Sequence, residues 1–153
     1  MKRAELIEQV RGSHARLLRA LDGVTEEQAA RVGLNPNWSV KDALAHITAW
    51  ELEGAKALGQ VLEEGYEPRR WDDEAINSFN SEAVEERLGH SMAEVTGEFN
   101  ATHERVLELL GRLPEDVDEN SPAYKIVSGY TIEHMEHHAG QVEEWRKTIR
   151  DEE

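Results

Sequence analysis

His134 and His138 stand four residues apart late in the chain. On a helix that spacing stacks two side chains on one face, about one turn apart. Two imidazoles so placed can bind one metal ion. The stripe that carries them also carries Val127, Tyr130, Val142, Trp145 and Ile149 at helical spacing, so both rings point inward. His46 lies on the matching stripe of an earlier segment, with Ala43, Ile47, Trp50, Ala57, Leu58 and Val61. Neutral imidazoles buried without partners cost free energy, and a shared metal ion would satisfy them. Three histidines from two helices make a facial set that leaves coordination positions open for water or substrate. That is the pattern of a catalytic rather than a structural site.

A second reading stands beside it, because buried histidines are also satisfied by carboxylates and the chain is rich in them. His14 falls on an inward stripe too, so phase alone does not identify a ligand. His137 sits at the edge of its stripe, while His90 and His103 read as surface or boundary residues. Tyr130 lies one turn before His134, Gln141 one turn after His138, and Asp42 one turn before His46. All three are candidates for orienting imidazoles or touching substrate, and Tyr130 also for general acid or simple core tyrosine. Asn77 and Asn80 are candidates for the mouth of a pocket or for turns and caps. No cysteine is present. Disulfides, thiolate ligands and a cysteine nucleophile are therefore excluded.

The elements that must position these residues are helices. The first runs from about Lys2 to Leu21, with Leu6, Ile7, Val10, Leu17, Leu18 and Leu21 on one stripe. Thr25 to Gln28 has the form of a capping box and predicts a short helical turn before a break at Gly33 and Pro36. Ser39 with Asp42 opens a second long helix that reaches about Glu64, where Gly65 stops it. Residues 65–90 read as a loop around Pro68, Trp71, Asp72 and Asp73 followed by a polar helical segment, too long for a bundle turn. Ser91 with Glu94 caps a third helix with core positions Val95, Phe99, Val106, Leu110 and Leu113, ending near Pro114. After an acidic loop, Ser121 and Pro122 open a last helix reaching about Ile149. Four long amphipathic helices predict an all-α fold, an antiparallel four-helix bundle with an irregular insert between helices 2 and 3.

The bulk numbers set the boundaries. A chain of 153 residues suits a single domain over 1–153. Acidic residues number 32 against 17 basic ones, a formal charge of −15 with no basic block. Such a field repels nucleic-acid phosphates and anionic membranes, which predicts neither nucleic acid nor membrane as a partner. The first residues lack the apolar run of a signal peptide and no stretch approaches a membrane span. A cytoplasmic protein is the expectation.

Trp38-Ser39-Val40-Lys41-Asp42-Ala43-Leu44-Ala45-His46-Ile47-Thr48-Ala49-Trp50-Glu51 closely resembles the second-helix signature of the DinB/YfiT-like superfamily. Glu133-His134-Met135-Glu136-His137-His138-Ala139-Gly140-Gln141 is similar to its last-helix signature. Trp71, Ile76-Asn77 and Asn80, with Leu113-Pro114-Glu115-Asp116, resemble the ClbS/DfsB branch more closely. The resemblance implies a DinB-like bundle, commonly a homodimer, with His46, His134 and His138 as ligands of a divalent ion such as nickel or zinc. It also implies chemistry on small molecules, as hydrolysis of reactive electrophiles or transfer with a low-molecular-weight thiol. A non-catalytic protein that sequesters a small molecule, or a structural dimerisation module, is the alternative. Leu18 and Leu52 lie off the centres of their stripes and are the leucines available to a seam between two bundles.

Overall fold

Ser39 accepts a hydrogen bond from the backbone N–H of Asp42, and the Asp42 carboxylate accepts one from the backbone N–H of Ser39. That reciprocal cap begins α3, Val40–Leu62. Ser91 and Glu94 repeat the device at α5, Met92–Leu110, and Thr25 and Gln28 at the short α2, Glu26–Ala30. The structure, a computed structural model, describes residues 1–150. It adds α1 (Arg3–Leu21), α4 (Asp73–Glu86), α6 (Pro122–Ile126) and α7 (His134–Ile149), with a π-helical stretch Val127–Glu133 joining the last two. The described residues contain no strand. α3 ends slightly before the sequence predicts, since Glu64 already has φ 58° ahead of Gly65.

Four rods make the bundle: α1, α3, α5 and the continuous run from α6 to α7. α3 packs along α5, and α1 along α7. Two apolar clusters fill the interior. One gathers Leu17, Leu44, Ile47, Phe99, Met135 and Val142. The other gathers Leu6, Val10, Leu58, Val106, Leu110 and Val127. On its way between them each rod passes through buried polar residues: Ser13 and His14, Thr48 and Glu51, Thr102 and His103, and Thr131. His103 is therefore not the boundary residue that helical phase suggests. Its ring stacks on that of His14 at 3.6 Å between centroids, and His14 Nε2 meets Asn100 Oδ1 at 3.0 Å. Of the two leucines off their stripes, Leu18 packs against the first cluster and Leu52 is 40% exposed.

The insert between α3 and α5 is pinned to the bundle by a buried guanidinium. Arg87 donates to both carboxylate oxygens of Glu98, at 3.0 and 2.7 Å, and to the carbonyl of Ala83 at 2.9 Å. A buried arginine needs such paired acceptors. Lys41 adds a hydrogen bond to the His90 carbonyl at 2.8 Å. These ties lay α4 along α3 and carry Asn80 to the side of His46.

No described helix is long and apolar enough to cross a membrane.

Candidate metal centre

His46 enters the site from α3 and His134 and His138 from the first turns of α7. Their imidazoles meet through Nε2. His134 Nε2 lies 2.8 Å from His46 Nε2 and 3.0 Å from His138 Nε2. One ring atom from each residue falls within 4.8 Å of the other two. The spacing and phase of the sequence thus select three residues that the fold brings together, while His14, His90, His103 and His137 stay outside the group.

The far side of each ring decides which nitrogen faces inward. Trp50 Nε1–H can only donate, and it meets Asn80 Oδ1 at 2.7 Å. The oxygen of that amide is thereby fixed. His46 Nδ1 lies 3.0 Å from the same oxygen, so His46 carries its proton on Nδ1 and presents a bare lone pair at Nε2. His138 Nδ1 lies 2.8 Å from Gln141 Oε1 and takes the same tautomer. Such outer partners are what orient histidine ligands. His134 Nδ1 is buried without any hydrogen-bond partner. If its Nε2 is also bare, three lone pairs converge on one point. If its proton sits there instead, it faces two acceptors and its own Nδ1 is an orphaned acceptor. A cation at the centre removes the conflict. Two zinc–nitrogen bonds of about 2.0–2.1 Å at a tetrahedral angle hold nitrogens roughly 3.3 Å apart. The observed spacing needs only a few tenths of an ångström of opening, so the donor set fits a divalent ion.

The electrostatics favour the same state. Burial, then the neighbouring His138, push the His46 imidazole down to about 4, against the Asn80 hydrogen bond. Burial, then His138 and His46, push His134 down to about 3. His138 is lowered as well, again by burial first. Neutral imidazoles are the ligating form, and all three are neutral at pH 7.

A cavity of about 390 Å³ opens beside the triad, lined by His46, Trp50, Trp71, Ile76, Asn80, Gly129, Tyr130 and His134. The π-helical stretch supplies part of its wall. Widening one turn of the rod re-aims the residues that follow, and π-bulges often mark functional sites. Tyr130 sits within that stretch against Gly54 of α3. A Cβ on Gly54 would lie 2.8 Å from the Tyr130 Cβ, so the glycine is what lets the two backbones close. Tyr130 Oη accepts from Trp71 Nε1–H at 2.9 Å, and burial raises the phenol above its ordinary value.

Tyr130 and Asn80 line the cavity and Gln141 meets His138, while two other expected neighbours stand elsewhere. Asp42 does not reach His46, because its carboxylate closes the Ser39 cap. Asn77 is exposed and lines nothing, while Asn80 is the direct partner of His46. The π stretch was missed, although Gly129 inside a helical pattern was its signal. Glu51 was also missed: it is fully buried, with neither oxygen hydrogen-bonded.

The family model of the DinB superfamily matches residues 7–142. The chain belongs to the DinB superfamily. No curated protein matches the sequence. Among solved structures, the sibling lethal factor precursor DfsB superposes with a TM-score of 0.81 at 13% identity, covering 98% of each chain. An uncharacterised protein from Escherichia coli UTI89 gives 0.79 at 15% identity, over 96% of this chain and 94% of its own. The colibactin self-resistance protein ClbS, in complex with double-stranded DNA, gives 0.80 at 13%, over 95% and 96%. At such identities the likeness is one of fold. DinB proteins of the ClbS/DfsB branch that the motifs resemble are thus among this chain's neighbours in shape.

ClbS corrects one expectation. An acidic balance does not exclude nucleic acid as a partner, since a protein of this fold is crystallised on duplex DNA. Net charge is a sum that conceals local patches. In this DinB protein Arg19, Arg146, Lys147 and Arg150, with one carboxylate, Glu143, line one depression where α1 and α7 end.

Proposed function

We propose that this DinB protein is a metal-dependent enzyme acting on a small electrophilic molecule. It works either as a hydrolase or as a transferase using a low-molecular-weight thiol. The observation that carries the reading is the convergence of three Nε2 atoms, two of them with tautomers set by Asn80 and Gln141. Three protein ligands rather than four leave room for a reactant. A divalent ion there, nickel or zinc, supplies Lewis acidity that makes water or an incoming thiol nucleophilic near neutral pH. The thiol has to come from outside, because the chain has no cysteine. A reducing cytoplasm, rich in such thiols, is the setting this reading implies.

The chain's own residues do the remaining work. Asn80 holds His46 and anchors Trp50 with one oxygen. Gln141 keeps the His138 proton on Nδ1. Tyr130 keeps its proton at neutral pH and, already accepting from Trp71, has its O–H left to donate to a substrate atom in the cavity. Protein loaded with zinc or nickel, given styrene oxide with glutathione, bacillithiol, mycothiol or water alone, should turn over with a mass-resolved adduct or diol. His134→Ala and chelator-treated protein should show none. Stoichiometric capture of the electrophile without turnover would replace catalysis by sequestration.

A second reading, contact with a nucleic-acid backbone, is favoured by the basic depression at the α1 and α7 ends together with the DNA complex of ClbS. Its expected signature is duplex binding that weakens with salt at a log–log slope of about −3, near −0.9 per phosphate contact. Lys147→Glu with Arg150→Glu should abolish it. A salt-independent signal, or one untouched by the double variant, would sink the reading.

A further inference from the structure

We infer that the cavity beside the triad selects a planar aromatic molecule, whose flat part lies against Trp50, Trp71 and Tyr130 while its substituent reaches the histidines. The inference rests on the proposed small-molecule site and deepens it. Trp50 touches three other rings, with centroids at 4.6 Å to Trp71, 4.4 Å to Phe79 and 5.8 Å to Tyr130. All four are only half-buried. Aromatic side chains carry large apolar areas that dominate binding energetics. A cluster of them half-open on a cavity presents binding surface.

The polar handles of that wall are already used. Trp50 Nε1–H donates to Asn80 and Trp71 Nε1–H to Tyr130. What the two indoles offer a ligand is therefore carbon and π-surface. No ionised side chain lines the cavity. Away from the histidine end, charge recognition is thus not its means of selection. Arg69 stacks on the Trp71 ring with its guanidinium carbon 3.9 Å from the centroid, and lies within 3.7 Å of Glu53. That clamp, with the hydrogen bond to Tyr130, holds the Trp71 ring from two sides. It is a pre-set wall rather than a loose side chain, and preorganisation strengthens binding. The volume, about 390 Å³, is at the lower end of small-ligand pockets and suits a fused-ring molecule with one substituent.

The shape preference can be read with two probes of like size, flat 2-naphthol and its saturated counterpart 2-decalol, titrated calorimetrically into zinc-loaded protein. Each aromatic contact is worth a factor of roughly two to ten, so 2-naphthol should bind about tenfold or more tightly. Trp71→Leu should bring the two probes within about twofold while Trp71→Phe keeps the preference, with helicity and melting temperature unchanged. Equal affinities in the parent protein, or a preference that survives Trp71→Leu, would overturn the inference. Metal content, measured separately on the same samples, keeps the two readings apart. Preference without bound zinc sinks the metal reading alone, and bound zinc without preference sinks this one alone.

Discussion

Replacing His134 by alanine is expected to weaken zinc or nickel binding about a hundred- to a thousandfold. Structural zinc sites contribute about 10–16 kcal/mol over four ligands, and one ligand's share is worth roughly two to three powers of ten. His134 is the bridging member, the one whose Nε2 lies within 3.0 Å of both others. His90→Ala, on a residue outside the group, should leave about one ion per chain. Asn80→Ala should cost a further measurable step, about 10–100-fold, because His46 would lose the acceptor that fixes its tautomer. Elemental analysis and competition with a chromophoric chelator read all three. Full occupancy in His46→Ala or His134→Ala would end the three-ligand model.

The acid limit of the same site follows from the depressed imidazoles. With ordinary histidines, protons would displace the ion through about pH 6 to 5. Here His46 is pushed down to about 4 and His134 to about 3, so protons compete only at lower pH. Occupancy should hold through pH 6 and fall mostly below about pH 5. Half-release above pH 6 would contradict the burial argument.

How much of this was legible in the sequence divides along physical lines. Caps are local, and Ser39, Ser91, Thr25 and Ser121 each mark a helix start that the structure contains. Phase on a regular helix is local too, which is why His46, His134 and His138 could be selected together. What failed depended on departures from regularity or on distant partners. The π stretch shifts the register between Tyr130 and His134, and the close approach of Tyr130 there needs Gly54 on another rod. Asn80 reaches His46 from α4, which Arg87 and Glu98 help pin to the bundle, an ion pair between elements that no periodicity announces. Asp42 had the right spacing for a partner of His46, but a capping box competed for the same carboxylate and won. The polar layer through Glu51 and His103 was invisible because a buried glutamate looks, in sequence, like a solvated one.

That glutamate gives the second large effect. Glu51 is fully buried, has no hydrogen-bond partner, and burial pushes its carboxyl up to about 8 from 4.5. A proton stays on it in the folded state at pH 7 and leaves it in the unfolded state. Between pH 4.5 and 8 the folded state thus binds more protons, and stability falls as pH rises. At about 1.36 kcal/mol per unit, the cost at pH 7 is about 3 kcal/mol. The depressed histidines act with the opposite sign: they bind protons more readily when unfolded, so their contribution is lost as pH falls below 6.5. Metal-free protein should therefore be most stable near pH ~7; from pH ~6.5 to ~8 Glu51 withdraws about 2 kcal/mol while each depressed histidine returns about 0.4 kcal/mol. Glu51→Met keeps the side chain's length, removes the orphaned carboxyl, and should stabilise the bundle by about 3 kcal/mol at pH ~7. Urea denaturation in the presence of chelator, at pH ~5, ~6.5 and ~8, reads the difference as a shift in midpoint at constant m. The variant should keep rising slightly from pH ~6.5 to ~8, by about 0.4 kcal/mol for each depressed histidine, so its advantage over the parent widens by about 2 kcal/mol. A variant less stable than the parent at pH ~8 would mean that the carboxylate has a cationic partner in the folded protein, and the account of Glu51 as a buried, unpaired acid would be wrong.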